Sequence, residues 1–220
     1  MKPFLFFLVL VPAWCDSLQY AINWPSGLSL GEATLVADHG GEKTGGNWNL
    51  SLNIDASIPG FAVRDDYRAA ASTDLCGLQF DKTFTHGTHK TEEHLKFDQH
   101  GHTVSRETQG GGKSEMSVST CARDPLTYIE FLRHELAEGR LPQQQEVIYG
   151  ALYSVKVEYT GNQTIPVGEK KVDADRIVAT IKGPSSDLNV EMFFARGGTR
   201  APLLVRIPTA LGTFSVVLQP

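Results

Sequence analysis

Along most of this 220-residue chain the apolar side chains recur at every second position, a period that suits a β-strand and not a helix. Trp48, Leu50, Leu52, Ile54 and Ala56 fall on one side of an extended backbone, and Asn47, Asn49, Ser51, Asn53 and Asp55 fall on the other. That pattern belongs to an antiparallel strand with one wet face. Leu18, Tyr20, Ile22 and Trp24 alternate in the same way, as do Ala151, Tyr153, Val155, Val157 and Tyr159. Runs at Ile177 to Ile181, Leu188 to Phe194, Leu203 to Ile207 and Phe214 to Leu218 follow, punctuated by Gly183-Pro184, Gly197-Gly198 and Leu211-Gly212. The resulting expectation is a mainly β fold, a single domain of strongly curved antiparallel sheet that forms a half-barrel or barrel.

One segment breaks the alternation. Asp124 can accept hydrogen bonds from the first free amides of a helix, and Pro125 loses nothing at the first helical position. Leu126, Ile129, Leu132 and Leu136 then recur at helical spacing until Gly139 and Pro142 close the element. The spacing predicts one main helix over about 124–138, packed on the concave side of the sheet. Arg133 borders the apolar arc of that helix and needs a partner. It is read either as a buried ion pair tying helix to sheet or as a cationic anchor for a ligand head group.

The N-terminus reads as an export signal. Met1-Lys2-Pro3 is a short basic start and Phe4 to Val11 is an apolar run too short for an anchor. Ala13 and Cys15 fit the small-residue positions of a cleavage site, which assigns 1–15 to a signal peptide and 16–220 to the domain. Cys15 also admits the reading of a lipid-modified cysteine, although Trp14 stands where such signals carry a small residue. The expected location is periplasmic, and the mature chain holds no stretch of the ~20 apolar residues that a transmembrane helix requires. In that oxidising setting the remaining cysteines, Cys76 and Cys121, are a disulfide candidate. Closing a loop of about 45 residues would stabilise the fold by roughly 4 kcal/mol.

Catalytic hardware is sparse. A formal charge of -5, with 25 acids against 20 bases and no basic run, argues against nucleic acid as a partner. His86, His89, His94, His100 and His102, with Glu92 and Glu93 among them, could in principle hold Zn²⁺ or Cu²⁺, and His100-x-His102 would set two rings on one strand face. The stretch is polar and reads better as a hairpin, Phe84 to Lys90 and then His94 to Asp98, turning at Gln99-His100-Gly101 with its histidines solvated near turns, which leaves His86, His89, His100 and His102 as weak metal candidates. Gly110-Gly111-Gly112 before Lys113-Ser114 lacks a strand-loop-helix frame and reads as a hairpin loop. No Gly-x-Ser-x-Gly elbow occurs, and Asp173 and Asp175, near Lys170 and Lys171, read as an ion-paired face. Neither an enzyme nor a cofactor is expected.

Tyr20-x-Ile22-x-Trp24 followed by Gly31-Glu32-Ala33, the helix Asp124-Pro125-Leu126-Thr127-Tyr128-Ile129-Glu130-Phe131-Leu132-Arg133, and the closing Arg200-x-Pro202 with Gly212 and Leu218 resemble the exported bacterial proteins grouped as domain of unknown function family 3108. Where the family pattern tends to carry an acid before this Arg-x-Pro, the chain reads Gly197-Gly198-Thr199. The resemblance implies an exported protein with a curved sheet around a helix, similar in outline to the half-barrels of outer-membrane lipoprotein carriers. The leading expectation is therefore a non-catalytic binding or carrier module for an apolar or lipid-like molecule. Trp24, Trp48, Tyr128, Phe131, Arg133 and Tyr153 are its candidate ligand contacts. The alternative is an envelope assembly protein that works through contacts with another envelope protein, and a metal-dependent enzyme built on the histidines ranks below both.

Overall fold

The computed structural model describes residues 15–40, 46–58, 61–184 and 187–220. The signal-peptide reading therefore lies, apart from Cys15, outside the described residues. Eight strands come first: β1 Cys15–Asn23, β2 Ser29–His39, β3 Trp48–Ile58, β4 Phe61–Ala71, β5 Gly77–His86, β6 His89–Asp98, β7 Thr103–Thr108 and β8 Lys113–Ser117. After them come the helix α1 Pro125–Ala137 and six more strands: β9 Gln145–Ile148, β10 Leu152–Val167, β11 Lys170–Lys182, β12 Asp187–Ala195, β13 Pro202–Thr209 and β14 Gly212–Leu218.

All fourteen strands join one antiparallel sheet in the order β8-β7-β6-β5-β4-β3-β2-β1-β14-β13-β12-β11-β10-β9. Two meanders meet where β1 pairs with β14, with Tyr20 opposite Leu218 and Ile22 opposite Val216. The sheet is not closed, since β8 and β9 stand at its two ends. Because every neighbour is antiparallel, the β1–β2, β3–β4, β5–β6, β9–β10, β11–β12 and β13–β14 connections all fall on one rim. The segment from β8 to β9, which carries the helix, starts and ends at the opposite rim.

That segment holds the curl together. Val118 N donates to His102 O, Gly77 N to Ala122 O and Ile148 N to Arg123 O, so one strap passes below β7, β6 and β5 and then meets β9. Cys76 and Cys121 are disulfide-bonded along it, with Cα atoms 4.7 Å apart across a separation of 45 residues. The helix begins as its sequence dictates. The Asp124 carboxylate accepts from Leu126 N at 2.9 Å, from Thr127 N at 3.0 Å and from Thr127 Oγ1 at 2.5 Å. Leu126 packs into a cluster with Trp48, Leu50, Phe80, Leu95 and Ile148, whereas Leu132 and Leu136 pack with Ile177, Met192 and Phe194. Contact with both halves of the sheet places the helix inside the curl. Arg200 fixes the far end of the helix, donating to Leu136 O through Nε (3.0 Å) and Nη2 (2.6 Å) while Nη1 pairs with Asp175 at 2.8 Å.

The histidine stretch turns at Gln99-His100-Gly101 as its sequence suggests, but it also holds an earlier turn. β5 and β6 turn at Gly87-Thr88, which places His86 opposite His89 at that end. His100 and His102 lie in the turn after β6, and His102 adopts φ 52°, so they do not share a strand face. The two pairs are separated by the length of β6, roughly 30 Å at ~3.3 Å per residue, because an extended backbone spreads what the sequence lists together. His86 Nε2 lies 2.8 Å from Asp65 and His94 Nδ1 2.8 Å from Asp81, so each meets a carboxylate of an adjacent strand.

Candidate functional site

The concave face of the sheet and the N-terminal half of α1 enclose a cavity of about 700 Å³, within the range of small-molecule sites. Alternation builds it strand by strand. β1 contributes Tyr20 and Ile22, β2 Ala33 and Leu35, β3 Leu52 and Ile54, and β4 and β5 add Tyr67 and Phe80. Across the interior stand Val155 of β10, Ala179 and Ile181 of β11, Leu188, Val190 and Met192 of β12, and Val205 and Ile207 of β13. Pro125, Leu126, Tyr128 and Ile129 form the helical floor. Among the described residues no lining side chain is charged, and none is Ser, Thr, Asn, Gln or His.

The tyrosines that line it have largely spent their polar atoms. Tyr20 donates its hydroxyl to Pro202 O at 3.0 Å, and the hydroxyls of Tyr67 and Tyr149 lie 3.2 Å apart. The Tyr128 hydroxyl is enclosed without a hydrogen-bond partner among the described residues, and burial pushes its pKa up to about 12. Burial likewise raises Tyr20, Tyr67 and Tyr149, so the site stays uncharged throughout the physiological range. Such a lining offers apolar contact and few free hydrogen-bonding atoms.

Exposure along the strands gives the cavity a direction. Tyr20, Ala179 and Met192 are buried near the helix, while Ile22, Ile181, Leu188 and Ile207, closer to the rim of hairpin turns, are partly exposed. The helix closes one end and the mouth lies at the hairpin rim. A close approach keeps the wall continuous there, since a Cβ on Gly183 would sit 2.3 Å from the Tyr153 ring.

A second, smaller cavity of about 390 Å³ lies near the opposite rim, lined by Asp16, His39, Trp48, Glu130, Arg133 and His134 among others. Trp48 stands between two imidazoles, with ring centroids 4.6 Å from His39 and 5.3 Å from His134. Arg133 is satisfied on every nitrogen. Nη2 pairs with Asp16 at 2.5 Å, Nη1 with Glu130 at 2.8 Å, and Nε donates to Thr199 O at 3.1 Å. The ion-pair reading of this residue describes its contacts, and Asp16 on β1 supplies the link from helix to sheet.

Of the six contacts expected from sequence, Tyr128 and Tyr153 line the large cavity. Trp24 lies just beyond β1, edge-on to Phe214 at 4.9 Å, and Trp48 and Arg133 belong to the smaller cavity. Phe131 lies under the guanidinium of Arg123, 3.8 Å away, and packs in the core beside the cavity without lining it. Tyr20 and Ile22 were legible in the alternation that ends at Trp24. Tyr67, Phe80 and Tyr149 carried no comparable signal, because curvature alone brings them together. The carboxylates Asp173 and Asp175 also have partners: Asp173 accepts from Thr164, and Asp175 meets Arg200 and Arg196.

A family model described as "Protein of unknown function (DUF3108)" matches residues 19–219. No curated protein matches the chain. Among solved structures, the crystal structure of a beta-barrel-like protein of domain of unknown function DUF1849 from Brucella abortus is similar with a TM-score of 0.64 at 9% identity, over 92% of this chain and 94% of that one. At that identity the likeness establishes the fold.

Proposed function

The chain belongs to the DUF3108 family, whose description assigns no activity, and from its geometry we propose that it is a non-catalytic binding or carrier module for an apolar, lipid-like molecule of the cell envelope. The observation that carries this reading is the cavity of about 700 Å³, open at one rim and lined, among the described residues, without a single charged side chain. A void of that size lined by Ile, Leu, Val and Tyr forfeits packing contacts that a solid core would make, and a hydrocarbon guest restores them. The envelope location rests on the basic start and apolar run of Met1 to Val11.

An assembly role through sheet-edge pairing has less behind it. β8 is five residues long and carries Lys113 and Glu115, and β9 is four residues long and already meets the strap at Arg123. Short, charged or covered edges discourage further pairing.

Native mass spectrometry of gently purified protein, followed by organic extraction, tests the carrier reading. In parallel, N-phenyl-1-naphthylamine is titrated into delipidated protein and into Leu35→Trp, which fills the interior from β2. A releasable apolar mass, or probe fluorescence that the filled variant loses while keeping its circular dichroism, supports the reading. A bare chain that takes up no probe overturns it.

A further inference from the structure

The hairpin rim at the cavity mouth is unlike the rest of the surface. Residues 17–31 and 207–220 contain no Asp, Glu, Lys, Arg or His, in a chain that carries 45 such acids and bases besides its histidines. The two stretches are joined in space, since β1 pairs with β14 from Tyr20↔Leu218 to Asn23↔Ser215. Their turns are therefore neighbours on the rim, and each projects a leucine: Leu28 is 62% exposed and Leu211 67% exposed. Trp24 and Phe214 sit at their base, with rings 4.9 Å apart. Phe61, at the adjacent β3–β4 connection, is a third exposed apolar tip.

We propose that this rim is a bilayer-docking surface that inserts Leu28 and Leu211 into the interfacial zone of a lipid membrane, with the cavity mouth facing the lipid. Three features select a bilayer as the occupant. Isolated leucines on narrow turns suit a fluid partner that closes around them, whereas a protein partner would need a matched socket for each. The β1–β2 and β13–β14 turns, which carry no formal charge, avoid the cost of taking ions into the headgroup and acyl boundary, whereas the charges of this rim, such as Lys90, Lys182 and Asp187, lie on its other connections. Trp24 stands one step behind the tips, at the depth where indole rings concentrate in membranes. The mouth gradient supplies the remaining link: Ile22 and Ile207 lead from the turns straight into the cavity. The transfer of a guest through this rim rests on the carrier reading; the docking itself does not.

Flotation of the full chain with phosphatidylcholine vesicles tests the proposal. Leu28→Ser/Leu211→Ser is compared with Leu141→Ser, which alters an exposed leucine beyond the helix, away from this rim. Because the two inserting turns carry no cation, the wild type should float with these uncharged vesicles and should do so equally at high salt. The rim double variant should lose at least about tenfold in bound fraction, as expected for withdrawing two leucines from hydrocarbon, while Leu141→Ser should match the wild type. No flotation of the wild type, or equal flotation of all three proteins with unchanged melting, overturns the proposal and leaves the rim to a protein partner. N-phenyl-1-naphthylamine uptake without vesicles is read on the same samples. Flotation that depends on the rim without any probe uptake preserves docking and defeats the carrier reading, and uptake without flotation does the reverse.

Discussion

The hydroxyls of Tyr67 and Tyr149 meet at 3.2 Å across 82 residues of sequence, joining β4 to the connection between β9 and β10. Lys82 of β5 covers the same seam, with its ammonium 4.0 Å from the Tyr149 ring, and it is held there by Glu93 at 3.0 Å. Burial lowers the Lys82 pKa. Burial pushes Glu93 up, but the hydrogen bond from Arg106 and the Lys82 charge outweigh it and hold the carboxyl below its usual range.

Replacing Tyr67 or Tyr149 by Phe should cost about 1 kcal/mol, since each leaves the other hydroxyl without its partner. The double replacement should cost less than the sum. Urea denaturation of the four proteins gives the coupling, and strictly additive losses would show that the two hydroxyls act independently.

Opening the Cys76–Cys121 bridge releases the strap from the lower end of β5. Cys76→Ser/Cys121→Ser should lose roughly 4 kcal/mol by the chain-entropy account, a fall in Tm on the order of 10 °C for a chain of this size. A melting temperature unmoved by reduction would contradict the structural role of the bridge.

Arg133→Met leaves Glu130 buried without its guanidinium and Asp16 without its tie to the helix. The expected loss is about 3 kcal/mol, and Glu130→Gln in the same protein should recover part of it. Chemical denaturation of the single and double variants decides, and a neutral single variant would show that the triad contributes nothing to stability.

Asp124 links stability to pH. Its carboxyl is fully buried, and burial raises its pKa to about 6 despite the hydrogen bonds it accepts from Thr127 and Leu126. The folded state thus holds the proton more tightly than the unfolded chain. The associated stabilisation is complete below about pH 4 and is lost as pH rises through about 6. Relative to Asp124→Asn, the wild type should lose on the order of 3 kcal/mol between pH 4 and pH 7. A stability difference that stays flat or grows with pH would refute the assignment.

The local chemistry of this fold was legible in its sequence, and its curvature was not. Alternation from Trp48 to Ala56 fixed the faces of β3, and Asp124-Pro125 marked the first turn of α1 within a residue. The disulfide candidates were also read correctly, since only one pair of cysteines remained beyond Cys15. The cavity was a different matter. Aromatic size selected Trp24, Trp48 and Phe131, yet whether a large ring faces the interior depends on where each strand sits around the curl, which no local pattern encodes. The glycine of the Gly31-Glu32-Ala33 motif acquires its reason only in three dimensions: a Cβ there would lie 2.1 Å from the Asp55 carbonyl of the neighbouring strand. Likewise, five histidines within 17 residues suggest a cluster only until β6 draws them apart.

A closed barrel has a girth dictated by its strand number and stagger, and widening it means breaking a ladder of backbone hydrogen bonds. The curl described above ends at β8 and β9 without pairing them, and it is drawn together by a tyrosine pair, a buried lysine and a three-bond strap. At the Tyr67–Tyr149 seam its circumference is consequently an adjustable quantity, held by side chains that can re-seat, while the backbone bonds of the strap fix it at the other rim. On the carrier reading proposed above, a guest bulkier than the resting interior would register as a wider gap between Tyr67 and Tyr149, so that this one distance would gauge the size of the guest.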